Sequence, residues 1–322
     1  MPKPRHVLQK KQSPYYRKLK KVVFLVNPSS GRGKGKKIIP SLIRFIEKQK
    51  LPYELKVLPS QSLEHLLQLT RENQNADILI AVGGDSTFYF VLNEALKHGF
   101  AGKFGFLGAG TSNDIARVTN TLTPSQMIQA LLYDSFIPYD LIELSFSGNS
   151  VFVAGQWNVG LGAKVNQLAS RYYAKEKFWH LPETLWGISA IYKASQENPL
   201  QGRLFQGQNV IWEGESSICL CSNIPYWAGG KQFNPVGNPN DGLAEFIIMP
   251  KLSFLAAIYR MLKAGSNWYF QKSKTRFFSV DSFTLQLNQE TIIQADGEII
   301  GKAKNIQGKI HRCKIQLLAL SK

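Results

Sequence analysis

The sequence predicts an α/β domain built on a parallel sheet, followed by a β-rich domain, with the boundary near residue 135. Three observations carry this expectation. Between Val22 and Ser135, short apolar runs alternate with segments of helical spacing, the pattern of strands joined by crossover helices on both faces of a sheet. Three of those runs end in glycine-bearing turns that open a helix. Beyond Ser135 the pattern alternates residue by residue, with Gly, Asn and Ser at the turns, as antiparallel strands do.

Residues 1–21 form a polar basic arm with Pro2, Pro4 and Pro14. Val22–Val26 reads as a buried strand, and Ile38, Leu42, Ile43 and Ile46 give residues 36–49 a helical face. Tyr53–Leu58 is a strand, and Leu63, Leu66, Leu67 and Leu69 mark a helix. Asp77–Val82 is a buried strand, 86–97 a helix and Phe104–Leu107 a short strand. One helix starts near Asn113 and another after Pro124. In the second part, 136–160 and 203–222 alternate as strands around helices at about 164–175 and 183–195. A strand at 243–249 and an amphipathic helix at 252–264 precede 276–300, which reads as consecutive short strands.

The chain has 322 residues, 44% hydrophobic and 19% charged, which supports a sizeable core. Its net charge of +17 implies an anionic partner. Basic residues crowd the front: Lys3, Arg5, Lys10, Lys11, Arg17 and Lys18 all precede the first acid, Glu47. Each gains about 1 kcal/mol near an anionic bilayer, so the arm is expected either to dock reversibly on a membrane or to remain a solvated tail. The charge lacks the aromatic–basic module of a nucleic-acid binder. No stretch approaches the ~20 apolar residues of a span, and the N-terminus has no signal-peptide core. The expectation is a cytoplasmic protein, peripheral at the inner membrane face. Cys219, Cys221 and Cys313 read as reduced packing residues, and self-association into a homodimer stays open.

Three turns carry chemistry. Asn27-Pro28-Ser29-Ser30-Gly31-Arg32-Gly33 follows a strand and precedes a helix, where backbone N–H groups and the helix dipole favour phosphate. It is neither a Walker A loop nor a G-x-G-x-x-G turn. Gly83-Gly84-Asp85-Ser86-Thr87 puts backbone, a carboxylate and a hydroxyl at a strand's carboxyl end. Gly108-Ala109-Gly110-Thr111-Ser112-Asn113-Asp114 repeats the arrangement on the next strand. The first alone reads equally well as a plain structural turn and the other two as helix capping; three such turns in about 90 residues are much less readily explained that way.

In this order, Asn-Pro-x-Ser-Gly, Gly-Gly-Asp-x-Thr and Gly-Thr-x-Asn-Asp-x-Ala-Arg resemble the diacylglycerol kinase catalytic family, which includes sphingosine kinases and bacterial lipid kinases. Asn238-Pro239-Asn240-Asp241-Gly242-Leu243 and Asp296-Gly297-Glu298 resemble its downstream motifs. The resemblance implies a phosphofructokinase- and NAD kinase-like first domain (22–135, completed by 307–322) and an acceptor-binding β-rich domain (136–306), with ATP and Mg²⁺ in the cleft between them. It implies transfer of the γ-phosphoryl group to a lipid hydroxyl, with diacylglycerol the first expectation, and so a role in phospholipid biosynthesis. Nucleotide contacts would fall on Asn27, Ser30, Gly31, Ser60, Gly83, Gly84, Asp85, Ser86, Thr87, Gly110, Thr111, Asn113 and Asp114. Asp296 and Glu298, with Asp85, would serve catalysis, Asp296 being the first choice for the base. A structural Mg²⁺ would map onto Asn238, Asp241 and the Leu243 carbonyl. The segment Lys309–Ala319 would return to the first domain as a strand.

The chain departs from the family pattern at Ser86, Tyr89-Phe90, Gly108 and Asn238. If the family glycine at Ser86 needs a positive φ, serine costs about 1 kcal/mol or more. The competing expectations are a catalytically weak nucleotide- or lipid-binding protein of the same fold and an NAD kinase-like enzyme.

Overall fold

The computed structural model describes residues 20–49, 52–175, 183–266 and 274–320. The arm at 1–19 lies outside them. The first part runs β1 (Lys20–Val26), α1 (Ser30–Gln49), β2 (Tyr53–Pro59), α2 (Leu63–Glu72), β3 (Ile78–Gly83), α3 (Asp85–Lys97), β4 (Lys103–Gly108), α4 (Asp114–Val118) and α5 (Pro124–Leu132). Lys20 and Lys21, expected in the arm, are already strand.

Strands β2, β1, β3 and β4 lie side by side in that order, all parallel. Their apolar runs lack polar alternation because both faces are covered. Val22, Phe24 and Val26 of β1, with Ile78, Ile80 and Val82 of β3, pack on one face with Leu42 and α5. Val23, Leu25, Leu79 and Ala81 pack on the other, with α2 and α3. Because β2 and β3 flank β1 on opposite sides, the strand order reverses there. Ligands of open α/β sheets bind outside the carboxyl ends of strands at such a point.

The second part continues with β5 (Phe136–Phe146), β6 (Asn149–Val153), β7 (Gln156–Gly160), α6 (Leu161–Lys175), α7 (Glu183–Ser195), β8 (Leu200–Gln206), β9 (Asn209–Ser216), β10 (Ile218–Ser222), β11 (Tyr226–Trp227), β12 (Lys231–Gln232), β13 (Ala244–Met249), α8 (Phe254–Lys263), β14 (Arg276–Val280), β15 (Ser282–Ala295) and β16 (Glu298–Leu318). The short strands expected over 276–300 are instead one short strand and two long ones, β15 and β16. Register shifts after Gln286 and Ile293 let β15 bend while staying paired.

Strand β16 pairs antiparallel with β15 and β5, and its end meets β4 in parallel, Leu317 opposite Phe104. Sheet hydrogen bonding therefore continues from β2 to β14. The second core centres on Trp157, fully buried and stacked on Phe283 at 5.5 Å, with Phe246 edge-on to both. Cys219 and Cys221 are free and buried as expected, but Cys313 is exposed and packs in no core. It sits at a register shift of β16, where its left-handed backbone (φ 50°) turns its N–H to Asp140 Oδ1 at 2.6 Å.

Candidate active site

The three glycine turns meet at the strand reversal. Asn27 donates its backbone N–H to the Val82 carbonyl (2.9 Å), which ties the end of β1 to the end of β3. The buried Thr87 hydroxyl accepts from Asn27 Nδ2 (3.2 Å) and lies 3.3 Å from Ser30 Oγ. Gly31 has φ 56°, and a Cβ there would strike the Ala109 carbonyl. A Cβ on Gly110 would strike the Gly84 Cα. The turns are thus pressed backbone to backbone, which leaves an open cleft of about 420 Å³. Asn27, Ser30, Gly31, Gly84, Asp85, Ser86, Gly110, Thr111, Asp296 and Gly297 all line it. Gly83, Thr87 and Asn113 stand behind this surface. Asn113, itself left-handed (φ 53°), accepts from the Gly110 N–H at 2.7 Å and returns a bond to its carbonyl. Ser60 is buried at the end of β2, its N–H on the Val26 carbonyl, and does not line the cleft.

Three carboxylates cluster below. Asp85 accepts from the N–H groups of Asp114 (3.2 Å) and Ile115 (3.1 Å), so it caps α4. Burial pushes its pKa up to about 7, with the neighbouring Asp114 adding to the rise. Asp114 is itself buried and accepts from Gly230 N–H (2.6 Å) and Gly229 N–H (3.4 Å), which joins α4 to the turn after β11. Burial raises its pKa too, against those two bonds and Arg117.

Asp296 and Gly297 form the two-residue loop between β15 and β16, with Ala295 paired to Glu298 across it. Both have positive φ, 43° and 94°, as a type I′ turn requires. Asp296 is 1% exposed, and its oxygens accept three backbone N–H bonds, from Ala154 (2.8 Å), Gly155 (2.9 Å) and Gln156 (2.9 Å). Burial still lifts its pKa to about 6. Glu298 is half-buried and hydrogen-bonded to Ser86, which opposes the rise that burial imposes. Ser86 lies inside α3 with no positive φ. Serine therefore costs nothing in backbone strain there, and its hydroxyl connects the second glycine turn to the β15–β16 loop. Tyr89 packs in the second core, and Phe90 packs against both cores.

A second cavity of about 220 Å³ opens from the same place. Its walls are mostly apolar, including Leu161, Val165, Ile218, Trp227, Met249 and Met261. Asp85, Ser112, Asn166 and Gly297 line both cavities, so the polar cleft and the apolar cavity share a wall. Asn166, whose Nδ2 donates to the Gly297 carbonyl at 3.1 Å, is a site residue with no signal in its sequence neighbourhood. The grip of Asp114 on Gly229 and Gly230 is likewise not among the sequence expectations, although the double glycine is a visible cue.

Asp85 is a single carboxylate at a glycine turn, which suits a Mg²⁺ whose other ligands are phosphate oxygens and water. The 238–243 segment suits a cation less well. Asn238 and Asp241 are exposed, and Asp241 Oδ1 accepts the Leu243 N–H at 3.0 Å. The buried Asp140 takes the Gly242 N–H at 2.6 Å, and Arg312 packs against Gly242. One carboxylate beside a guanidinium is a poor donor set for a hard dication. Among the described residues, no three His, Cys, Asp or Glu side chains gather as a metal site.

The model of the diacylglycerol kinase catalytic domain matches residues 21–144. The diacylglycerol kinase of Staphylococcus epidermidis is 26% identical over 296 residues, covering 88% of this chain and 87% of that protein. That of Staphylococcus aureus is 26% identical over 293 residues, with the same two coverages. Over residues 21–144 the chain is thus similar to the diacylglycerol kinase catalytic family, and the staphylococcal enzymes extend that similarity over most of its length. That similarity supports a phosphotransferase of the kinase class. In fold, the chain is similar to a diacylglycerol kinase from Bacillus anthracis, with TM-score 0.67 and 17% identity over 94% of this chain and 98% of that one. An NAD kinase from Archaeoglobus fulgidus, solved in complex with ATP, reaches TM-score 0.50 at 13% identity over 94% of both chains. No helix among the described residues is long and apolar enough to cross a membrane.

Proposed function

We propose that this protein transfers the γ-phosphoryl group of ATP to the hydroxyl of a lipid, diacylglycerol first among candidates. The observation that carries the reading is the shared wall: a glycine-lined polar cleft and an apolar cavity meet at Asp85, Ser112, Asn166 and Gly297. A nucleotide in the first and a lipid in the second would bring phosphate and hydroxyl together at Asp85. In this reading 22–135 with 307–322 serve the nucleotide and 136–306 serve the acceptor. The basic arm adds electrostatic attraction to an anionic surface, and deleting residues 1–18 should weaken vesicle binding.

Phosphoryl transfer chiefly needs positioning and charge neutralisation. The backbone of Gly31, Gly84 and Gly110 holds the phosphates. Mg²⁺ bound with the nucleotide would offset their charge, reached by Asp85 through water. Asp85 is the base we favour, since it faces both cavities and its pKa near 7 suits proton transfer at neutral pH. Asp296, the first choice on sequence, lines only the polar cleft and accepts three N–H bonds against two for Asp85, so in this reading it fixes the loop. Gly297 lets the acceptor approach without a Cβ, and Ser86 holds Glu298 beside it.

The test is a panel of lipid acceptors (diacylglycerol, a sphingoid base, undecaprenol) with labelled ATP. Transfer to one of them, lost in Asp85→Asn, supports the reading. ATP binding with no transfer to any acceptor would leave a nucleotide-binding protein.

A further inference from the structure

Helix α8 is apolar on two opposite sides. Its ten residues, from Phe254 to Lys263, include only two charges, Arg260 and Lys263. The inner side supplies Ala257, Arg260 and Met261 to the wall of the apolar cavity. Ala256, Ala257, Met261 and Ala264 also pack on the buried cluster around Leu220 and Ile247. On the outer side Leu255 is 74% exposed, Leu262 71% and Tyr259 44%. Spacings of four and three residues put these side chains in one stripe. A helix apolar on all sides is ordinarily covered on all sides. The neighbouring α7 extends the stripe: Ile188 and Tyr192 are exposed, and the Tyr192 ring meets Phe254 edge-on at 5.6 Å.

The charge flanking α8 in the sequence is mostly basic. Between Tyr226 and Arg276, among the described residues, the exposed Lys231, Lys251, Lys263, Lys274 and Arg276 outnumber a single exposed acid, Asp241, because Glu245 is buried. Lys251 precedes the helix and Lys263 closes its last turn. An apolar stripe edged by lysines fits a lipid surface with anionic headgroups, where apolar side chains enter the acyl boundary and lysines meet phosphate.

We propose that the outer face of α8, continued by Ile188 and Tyr192, docks on an anionic bilayer, so that the apolar cavity lies under the same helix, one helix away from the membrane. This rests on the lipid-kinase reading for its purpose but not for its test. The wall between cavity and membrane is then α8 itself, one helix thick. An acceptor lipid need only pass the helix to bring its hydroxyl to Asp85 and Gly297, and its chains never cross water.

The experiment is cosedimentation of the full chain with phosphatidylcholine vesicles, with and without phosphatidylglycerol, free of diacylglycerol and nucleotide. Wild type should bind better to the anionic vesicles. Leu255→Ser/Leu262→Ser should lose roughly tenfold or more in partition on both kinds, since binding scales with buried apolar area. Lys251→Glu/Lys263→Glu should weaken binding to the anionic vesicles alone. Both variants should keep wild-type turnover on a short-chain, water-soluble diacylglycerol, because neither touches the cavities. Vesicle binding of the serine variant equal to wild type would overturn the proposal. So would light scattering that finds wild type a dimer and the serine variant a monomer, since a second copy would then cover the stripe. The binding arm contains no ATP, so a failure of phosphoryl transfer leaves it readable.

Discussion

Asp85, Asp114 and Asp296 form a buried acidic group whose protonation links stability to pH. The pKa values of Asp85 and Asp296 rise on folding from 3.8 to about 7 and about 6. Between these limits the folded state holds more protons than the unfolded one. The stability these two carboxyls contribute to the unliganded protein should therefore be full below about pH 4 and be lost as pH rises toward 7, which urea titrations at a series of pH values measure. Asp85→Asn should flatten that slope. It should also cut turnover by about 10²–10⁴-fold, less if the transition state is loose. A folded variant with wild-type turnover would remove Asp85 from the chemistry. Asp296→Asn tests a different role. An amide has one acceptor oxygen for three N–H donors, so it should cost about 1–3 kcal/mol of stability in the same titration. Wild-type stability in this variant would mean the ring of N–H bonds does not hold the loop.

At the scale of elements, the glycine turns work by close approach. Gly110→Ala would push a methyl into the Gly84 backbone, so the turns must part. ATP affinity should fall by roughly tenfold or more, read by calorimetry, while the far-UV spectrum stays native. Unchanged affinity would place the phosphates elsewhere. These turns were legible in the sequence because each lies within a few residues of its strand and helix. The long β15 and β16 were not. Gly301 and Gly308, with register shifts near Gln286, Ile293 and His311, interrupt the alternation that marks a strand. Nor was the embrace of Asp296 legible, since its three donors come from Ala154, Gly155 and Gln156, which only the pairing of β7 with β15 brings near. Pattern reports local period, and these contacts depend on partners more than a hundred residues away.

At the scale of the whole molecule, the two cores are joined by sheet rather than by a linker. Trp157 sits at the middle of the second core against Phe246 and Phe283. Trp157→Ala should cost about 3–5 kcal/mol, and chemical denaturation should show whether near-UV and far-UV signals are lost together. Separate transitions would mean that the two cores unfold independently in spite of β16. That strand also sets an order of events at the ribosome. The first four parallel strands are complete once residue 108 has been made, yet the neighbour that covers the edge of β4 is Leu317 and its flank. While some two hundred further residues are translated, a nascent chain carries a hydrophobic sheet with an open side. Chaperone binding to that edge, released when β16 arrives, would protect the chain during its own synthesis.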